Sequence, residues 1–135
     1  MNSANNIFGN VIYSYTRAQA IEDGELIDVS ETARETGFTI SVAVTRSVWS
    51  QYIEWTTVDN DKQSYQNESG RLWDVLWMLY LACKRGKGES CLHYGLHVIP
   101  RNGRSKKPAL TKLKSVISGG DEGEPVITIM LPSED

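Results

Sequence analysis

The sequence is poor in residues that would hold a metal, a disulfide framework or a membrane anchor. Among 135 residues there are two cysteines, Cys83 and Cys91, and two histidines, His93 and His97. Two cysteines are too few for a four-thiolate zinc site, and their spacing fits no zinc finger. The longest apolar run, Val75 to Cys83, has nine residues, whereas a membrane-spanning helix needs about 20. The first ten residues carry no charge, so we expect no secretory signal or transit peptide, and a cytoplasmic protein with free thiols.

Length and composition are typical of one globular domain. The chain is 40% hydrophobic and 23% charged, and a chain of this size buries about two-thirds of its unfolded surface. We find no internal repeat, no low-complexity tract and no linker. Residues 1–135 are therefore predicted to form a single domain.

The charges are segregated along the chain, although the net charge is only −3. Residues 22–35 hold six acids and one base, residues 84–114 nine bases and one acid, and residues 121–135 five acids and no base. Such segregation would steer charged partners, unless the acidic and basic segments lie side by side. The acidic turn at 121–124 lacks the spacing of a Ca²⁺ loop and predicts a solvated hairpin tip.

Apolar periodicity and turn residues predict an α+β fold with short elements in the N-terminal half. In chain order we expect a strand within 7–14, a helix over 16–23, an extended piece at 26–29, a helical turn or two over 30–36, a strand over 38–44, a helix over 46–55 and an exposed polar loop over 56–68.

The strongest element is a helix from Arg71 to Arg85, capped by Ser69 and stopped by Gly86. It carries two apolar stripes, the first formed by Leu72, Leu76, Leu79 and Cys83, the second by Trp73, Trp77, Tyr80 and Lys84. A helix that is apolar on nearly all sides is expected at the centre of the core. Strands over 91–99, 110–118 and 125–131 follow. We expect them to form an antiparallel three-stranded meander packed on this hydrophobic helix.

Few residues suggest catalysis or metal binding. Cys91, His93 and His97 would share a strand face, but at about 3.3 Å per residue the histidines stand about 13 Å apart, so we expect no metal site. Asp74 fits a helix-dipole acid or a partner of Arg71, with a perturbed carboxylate in a cleft as the alternative. The sequence contains no nucleophile elbow and no phosphate loop. We therefore expect no cofactor, and an enzyme is the least favoured class.

Residues 101–114 hold a cluster of six bases, namely Arg101, Arg104, Lys106, Lys107, Lys112 and Lys114. Lys112 and Lys114 alternate along a predicted strand, so they share a face that would meet phosphates. Only Tyr94 adds an aromatic ring nearby, and the net acidity weakens non-specific attraction to nucleic acid. A solvated sheet edge, protected from aggregation by lysines, explains the same residues.

Four tryptophans in a chain of this length suit a protein interface. Trp73 and Trp77 are better explained as core residues of the long helix. Trp49 and Trp55 are therefore the candidate interface residues, and their exposure would favour a protein-binding function.

Three segments resemble a family of small uncharacterised bacterial proteins associated with plasmids, phages and other mobile elements. These are AIEDGELIDVSE (20–31), SYQNESGRLWDVLWMLYLA (64–82) and GDEGEPVITIMLPSED (120–135). The resemblance covers nearly the whole chain and is most specific at GRLWDVL (70–76) and EPVITIMLP (124–132). It brings no catalytic residue with it. It implies a small accessory protein that modulates host machinery, as inhibitors of defence systems do.

Two classes of function follow. The favoured class is an accessory protein that acts by protein–protein interaction, including inhibition of a host defence system. The alternative is a nucleic-acid-associated accessory protein that binds through residues 101–114.

Overall fold

The computed structural model describes residues 15–86 and 88–135. The elements in these residues are α1 (Arg17–Glu22), β1 (Leu26–Asp28), α2 (Ser30–Thr36), β2 (Ser41–Thr45), α3 (Arg46–Val48) with a π-helical turn (Trp49–Ile53), α4 (Thr57–Lys62), α5 (Glu68–Arg85), β3 (Cys91–Val98), β4 (Ala109–Gly119) and β5 (Pro125–Met130). The predicted strand within 7–14 lies outside the described residues.

The strands form one sheet in the order β1-β2-β5-β4-β3. Strands β3, β4 and β5 pair antiparallel in sequence order, which matches the predicted C-terminal meander in part, because these strands belong to a larger sheet. Strand β2 pairs parallel with β5, and β1 pairs antiparallel with β2. The class is therefore α+β as predicted, and the N-terminal strands extend the meander into a five-stranded mixed sheet.

The parallel pair β2–β5 lies at the centre of the sheet. Val42 and Val44 stand opposite Ile127 and Ile129 in register, and all four are at most 3% exposed. Because alternate strand residues point to one face, these side chains meet the helices together. The apolar sequences of both strands are thus explained by burial.

Helix α5 covers the inner face of the sheet with one of its two stripes. Leu72, Leu76 and Leu79 are buried, as the periodicity predicts. The Tyr94 hydroxyl on β3 donates to the carbonyl of Val75 at 3.0 Å, which fixes the helix against the strand. Burial of this hydroxyl raises the pKa of Tyr94, so the phenol stays neutral.

The expectation that α5 is buried on nearly all sides is wrong. Trp73 and Trp77 are each 38% exposed, and Cys83, predicted in the buried stripe, is also exposed. The helix begins earlier than predicted, because the Asn67 side chain, rather than Ser69, accepts the N–H of Gly70 at 2.7 Å. Only one side of α5 has the sheet to pack against.

The chain between β2 and α5 also differs from the prediction. The helix predicted over 46–55 is α3 followed by the π-helical turn, and it ends at Ile53. The predicted loop over 56–68 contains α4, which a capping box between Thr56 and Asp59 initiates. Asp59 and Gln63 are buried, so this segment is part of the folded body.

Capping residues and glycines bound the first two helices. Thr16 caps the start of α1 in a capping box with Gln19, and Gly24 lies just after its end with a φ of +81°. Gly37 ends α2 with a φ of +122°, a conformation that favours glycine. No helix in the described residues is long and apolar enough to cross a membrane.

Candidate functional site

The outward stripe of α5 carries three stacked aromatic rings, here called the aromatic ladder and formed by Trp73, Trp77 and Tyr80. The ring centroids of Trp73 and Trp77 lie 6.3 Å apart with planes 14° from parallel. Those of Trp77 and Tyr80 lie 5.4 Å apart at 15°. Helical spacing of four and three residues places the rings one above another. The result is a continuous apolar strip on the solvent side of the longest helix.

One end of the aromatic ladder rests on the loop after α2. The Phe38 ring meets Tyr80 edge-on, with centroids 5.8 Å apart. A side chain at Gly37 would come within 2.6 Å of the Tyr80 ring, so glycine is required for this close approach as well as for its φ. The Lys84 ammonium lies 5.2 Å from the Tyr80 centroid. The ring at this end is thus held by neighbours and carries a cation beside it.

Shallow clefts flank both ends of the aromatic ladder. A cleft of about 260 Å³ beside Tyr80 is lined by Phe38, Ile40 and Lys84, among others. A second, of about 340 Å³ beside Trp73, is lined by polar groups that include Gln66 and Asp74. The aromatic ladder is therefore apolar along its length, with Lys84 at the Tyr80 end and Asp74 at the Trp73 end.

The two tryptophans expected at an interface lie elsewhere. Trp55 is 6% exposed, and its indole N–H donates to Asn60 Oδ1 at 2.9 Å. Trp49 is partly buried against the core. The exposure that would have favoured an interface at Trp49 and Trp55 is not found at Trp55. The tryptophans exposed among the described residues are Trp73 and Trp77, which the sequence explains better as core residues.

The sequence held one signal for the aromatic ladder. The stripe that contains Trp73, Trp77 and Tyr80 ends in Lys84, whereas the buried stripe holds no charge. A stripe that ends in a charged residue is typical of the solvent side of a helix. The aromatic residues of the same stripe favour a core position, which is why the sequence predicts burial there.

Arg71 lies beneath Trp55 and is 3% exposed. Its guanidinium carbon sits 4.3 Å from the Trp55 centroid. It donates to the carbonyl of Ile53 at 3.1 Å, to that of Ile99 at 2.9 Å and to Gln66 Oε1 at 2.7 Å. Burial lowers the pKa of Arg71 to about 10. An ion pair between Arg71 and Asp74, one of the alternatives that the sequence leaves open for this acid, is not among those that the described residues form.

Asp74 is instead an exposed acid whose pKa is raised. Burial of part of the carboxyl raises it, and the nearby charge of Arg71 lowers it by less. No base or nucleophile among the residues lining its cleft is positioned to use it. The carboxyl therefore marks the polar end of the aromatic ladder.

The six bases of residues 101–114 do not act as one set. The Arg101 guanidinium forms ion pairs within the fold, with Glu54 at 3.0 Å and with Asp59 at 2.8 Å. Burial raises the pKa of Asp59, but hydrogen bonds from Arg101 and Thr56 outweigh it and leave the pKa lowered. Asp59 is thus ionised and holds the loop after β3 against α4. Arg101 is unavailable to an external anion.

The loop that Arg101 anchors forms one wall of a cationic cleft. Arg104 and Lys106 line it together with Lys62 of α4, and its volume is about 550 Å³. The buried Gln63 amide donates to the carbonyls of Pro100 and Ser105, both at 2.9 Å. The loop is therefore tied to α4 at two points, and three cations share the cleft. Lys107, the residue after Lys106, is also exposed.

Lys112 and Lys114 lie on the outer face of the sheet, opposite Gly95 and His93 of β3. The prediction that they share a face is confirmed. The alternative that they protect a sheet edge is wrong, because β4 is an interior strand flanked by β3 and β5. The Lys114 ammonium also donates to the backbone carbonyl of Glu134, which leaves Lys112 as the more accessible of the two.

Cysteine, histidine and acidic side chains form no metal site in the described part of the chain. His93 and His97 are exposed on β3. Burial raises the pKa of the Cys83 thiol, so it is not an activated nucleophile. Asp121 of the acidic turn accepts the backbone N–H groups of Arg17 and Ala18 at 2.8 and 3.0 Å, which ties that turn to the start of α1.

A family model described as "Family of unknown function (DUF6573)" matches residues 4–135. The chain belongs to this family. No curated protein and no solved structure matches it. Membership in DUF6573 spans the whole described fold and assigns no activity to it, so the function must be argued from the surface itself.

Proposed function

We propose that this DUF6573 protein acts by binding another protein through the aromatic ladder, as a small accessory protein of a bacterial mobile element. One observation carries the proposal: Trp73, Trp77 and Tyr80 are stacked on the outward side of α5. Tryptophan and tyrosine dominate the energetics of protein interfaces. Contiguous exposed apolar surface of this kind is also costly to keep in water without a partner.

The shape and charge of the surface define the partner segment. From Trp73 to Lys84 the strip spans twelve residues of helix, and the eleven steps between them, at about 1.5 Å each, make it about 16 Å long. An amphipathic helix of about three turns matches that length. Its apolar side would face the rings, and an acidic residue at one end would meet Lys84. A defence protein of the host is the class of target that the family resemblance suggests.

The rings are also suited to binding because they are preorganised. Tyr80 is fixed by Phe38 and by the close approach of Gly37, and the two tryptophans stack on it in turn. Side chains that are already ordered lose little entropy when a partner binds. This supports a binding role over an incidental exposure of apolar residues.

The experiment is co-purification of tagged protein from its native cells, with and without nuclease. We expect a stoichiometric protein that survives nuclease with the wild-type chain and is lost with the Trp73→Ala, Trp77→Ala double variant. The matched control is Tyr65→Ala, because Tyr65 is 87% exposed and lies outside the aromatic ladder. Equal recovery by the double variant and the wild type would refute the proposal.

Nucleic-acid binding is the second candidate, and the cationic cleft is the observation that favours it. Arg104, Lys106 and Lys62 surround one concave surface, and Lys112 is exposed on the outer sheet face. Against it, Arg101 is occupied by two carboxylates and Lys114 by a backbone carbonyl.

This candidate predicts binding that weakens steeply with salt. Replacing one phosphate-contacting base, as in Arg104→Gln, should reduce the slope of log affinity against log salt by about 1. Fluorescence anisotropy with a labelled single-stranded DNA at several salt concentrations measures it. The Arg34→Gln variant, on α2, is the control. Binding that ignores salt, or an unchanged slope in Arg104→Gln, would exclude this candidate.

A further inference from the structure

The outer edge of β3 has backbone groups that no described residue bonds. The Ile117 N–H donates to the Ser90 carbonyl at 2.7 Å, in line with the register that sets Cys91 opposite Val116. Hydrogen-bonded pairs alternate along an antiparallel ladder. Leu92, Tyr94, Leu96 and Val98 therefore direct their backbone groups to β4. The remaining strand residues, Cys91, His93, Gly95 and His97, direct theirs away from the sheet.

This edge lacks the features that usually protect an exposed strand. Edge strands are commonly short, charged or interrupted by proline. At the opposite edge, β1 is three residues long and ends in Asp28. Strand β3 has eight residues and contains no lysine, arginine, aspartate, glutamate or proline. Among the described residues it is therefore the long edge of the sheet without these protective features.

A groove runs beside the same edge, between β3 and the second half of α5. Its volume is about 280 Å³, and its lining includes Met78, Ala82 and Arg85 of the helix and Leu92 and Gly95 of the strand. The outward backbone of β3 thus forms one wall and apolar helix side chains form the other. A strand beside a helix groove is an arrangement that binds extended peptides in sheet-completing domains.

We propose that the β3 edge and this groove bind an extended segment of a partner protein, which adds to the sheet as a sixth strand. Alternate side chains of the segment would point into the groove, so those side chains are apolar and of moderate size. Arg85 lines one end of the groove, so an acidic residue is expected at that end of the segment. The site is separate from the aromatic ladder in chemistry, because backbone hydrogen bonds supply its affinity.

A second copy of the chain fits this groove poorly. If two β3 strands paired, the side chains facing the groove would be Leu92, Tyr94, Leu96 and Val98 of the other copy. The last three are at most 7% exposed within their own core, and Leu92 also packs against it. They cannot fill another groove without leaving it. A segment with free alternate side chains is therefore the better occupant.

The test is selection of short peptides from a displayed random library on the intact protein. We expect enriched peptides that alternate apolar and polar residues and carry an acid near one end. Their affinity should fall about tenfold in Gly95→Pro, which removes one outward N–H. The matched control is Gly95→Ala, which keeps that N–H. Should Gly95→Pro misfold by circular dichroism, His93→Pro removes the neighbouring outward donor instead.

A second readout separates strand addition from other binding. A selected peptide should slow amide hydrogen exchange at Cys91, His93, Gly95 and His97, and N-methylation of the peptide at alternate residues should abolish binding. Enrichment without alternation, full binding of the N-methylated peptide, or no enrichment at all would overturn the proposal. So would concentration-dependent dimerisation lost in Gly95→Pro, because it would assign the edge to a second copy. Replacing Trp73 and Trp77 by alanine should leave peptide affinity unchanged, which keeps this test independent of the aromatic ladder.

Discussion

Arg71 connects three parts of the chain that are distant in sequence. Its donors satisfy the carbonyls of Ile53 and Ile99, and its guanidinium lies under the Trp55 ring. Each buried carbonyl left without a donor costs about 1–3 kcal/mol. The planar guanidinium provides several donors in fixed directions, which a lysine ammonium does not.

We predict that Arg71→Met lowers the free energy of unfolding by about 3 kcal/mol or more, since it leaves two buried carbonyls unpaired. Arg71→Lys should fall between Arg71→Met and the wild type. Urea unfolding followed by circular dichroism measures the difference. The exposed Arg34→Met is the control, expected within about 0.5 kcal/mol of the wild type. A loss below about 1 kcal/mol in Arg71→Met would show that these hydrogen bonds matter little.

At the same scale, the sequence could not locate the partners of Arg71 or Arg101. Spacing suggested that Arg71 pairs with Asp74, one helical turn away. In the structure Arg71 donates to backbone carbonyls instead, and Arg101 pairs with Glu54 and Asp59. Backbone carbonyls occur at every residue, so the sequence cannot indicate which of them accept. The two carboxylates lie more than forty positions from Arg101 in sequence. Both placements depend on tertiary contacts.

Helix α5 shows what periodicity can and cannot predict for a whole element. The pattern predicted the helix, its end at Arg85 and its buried stripe through Leu72, Leu76 and Leu79, and all three are confirmed. It did not show that the sheet covers only one side. Two apolar stripes look alike in sequence whether the second meets a core or a partner protein. The core position that the sequence predicts for Trp73 and Trp77 is therefore wrong.

The start of α5 gives a direct prediction about capping. Asn67→Ala should lower the free energy of unfolding by about 1 kcal/mol, because its side chain accepts the Gly70 N–H at 2.7 Å. Ser69→Ala, at the position that the sequence suggested, should cost only a few tenths of that. Thermal unfolding of both variants compares the two positions. A larger loss in Ser69→Ala would place the cap where the sequence suggested.

In helix α4, composition and spacing point to different structures. Residues 56–68 are the most polar stretch, which favours a loop. Thr56 and Asp59 have the three-residue spacing of a capping box, and that local signal predicts a helix start. The burial of Gln63 could not be seen in the same way, because its acceptors at Pro100 and Ser105 belong to another loop.

For the whole molecule, the C-terminal meander was predictable and the mixed sheet was not. Turns at 100–108 and 119–124 join strands that pair with their neighbours in sequence, so local patterns suffice. The parallel pairing of β2 with β5 joins residues more than eighty positions apart. The residue pattern of neither strand specifies which other strand it pairs with. That pairing places β5 in the centre and β3 at one edge of the sheet that the described residues form, which is why the proposed strand-addition site could not be inferred from the sequence.

The fold determines which of the segregated charged side chains remain available at the surface. The basic segment is partly neutralised within the fold: Arg101 pairs with Glu54 and Asp59, which lie outside both acidic segments. Lys114 donates to the backbone carbonyl of Glu134 in the acidic C-terminal segment. The bases that remain exposed are fewer than the sequence suggests. The aromatic ladder is a continuous apolar feature on the described surface of α5, and we propose that the protein binds its partner through it.

The measurement that tests this claim most directly is the affinity of the purified partner, by isothermal titration calorimetry, for four forms of the protein. These are the wild type, the Trp73→Ala, Trp77→Ala double variant, Tyr65→Ala and Lys112→Gln. We predict that the double variant binds at least about 30-fold more weakly, as expected for loss of an interface hot spot of about 2 kcal/mol. Tyr65→Ala and Lys112→Gln should bind like the wild type. Undiminished binding by the double variant, or weakening confined to Lys112→Gln, would contradict it.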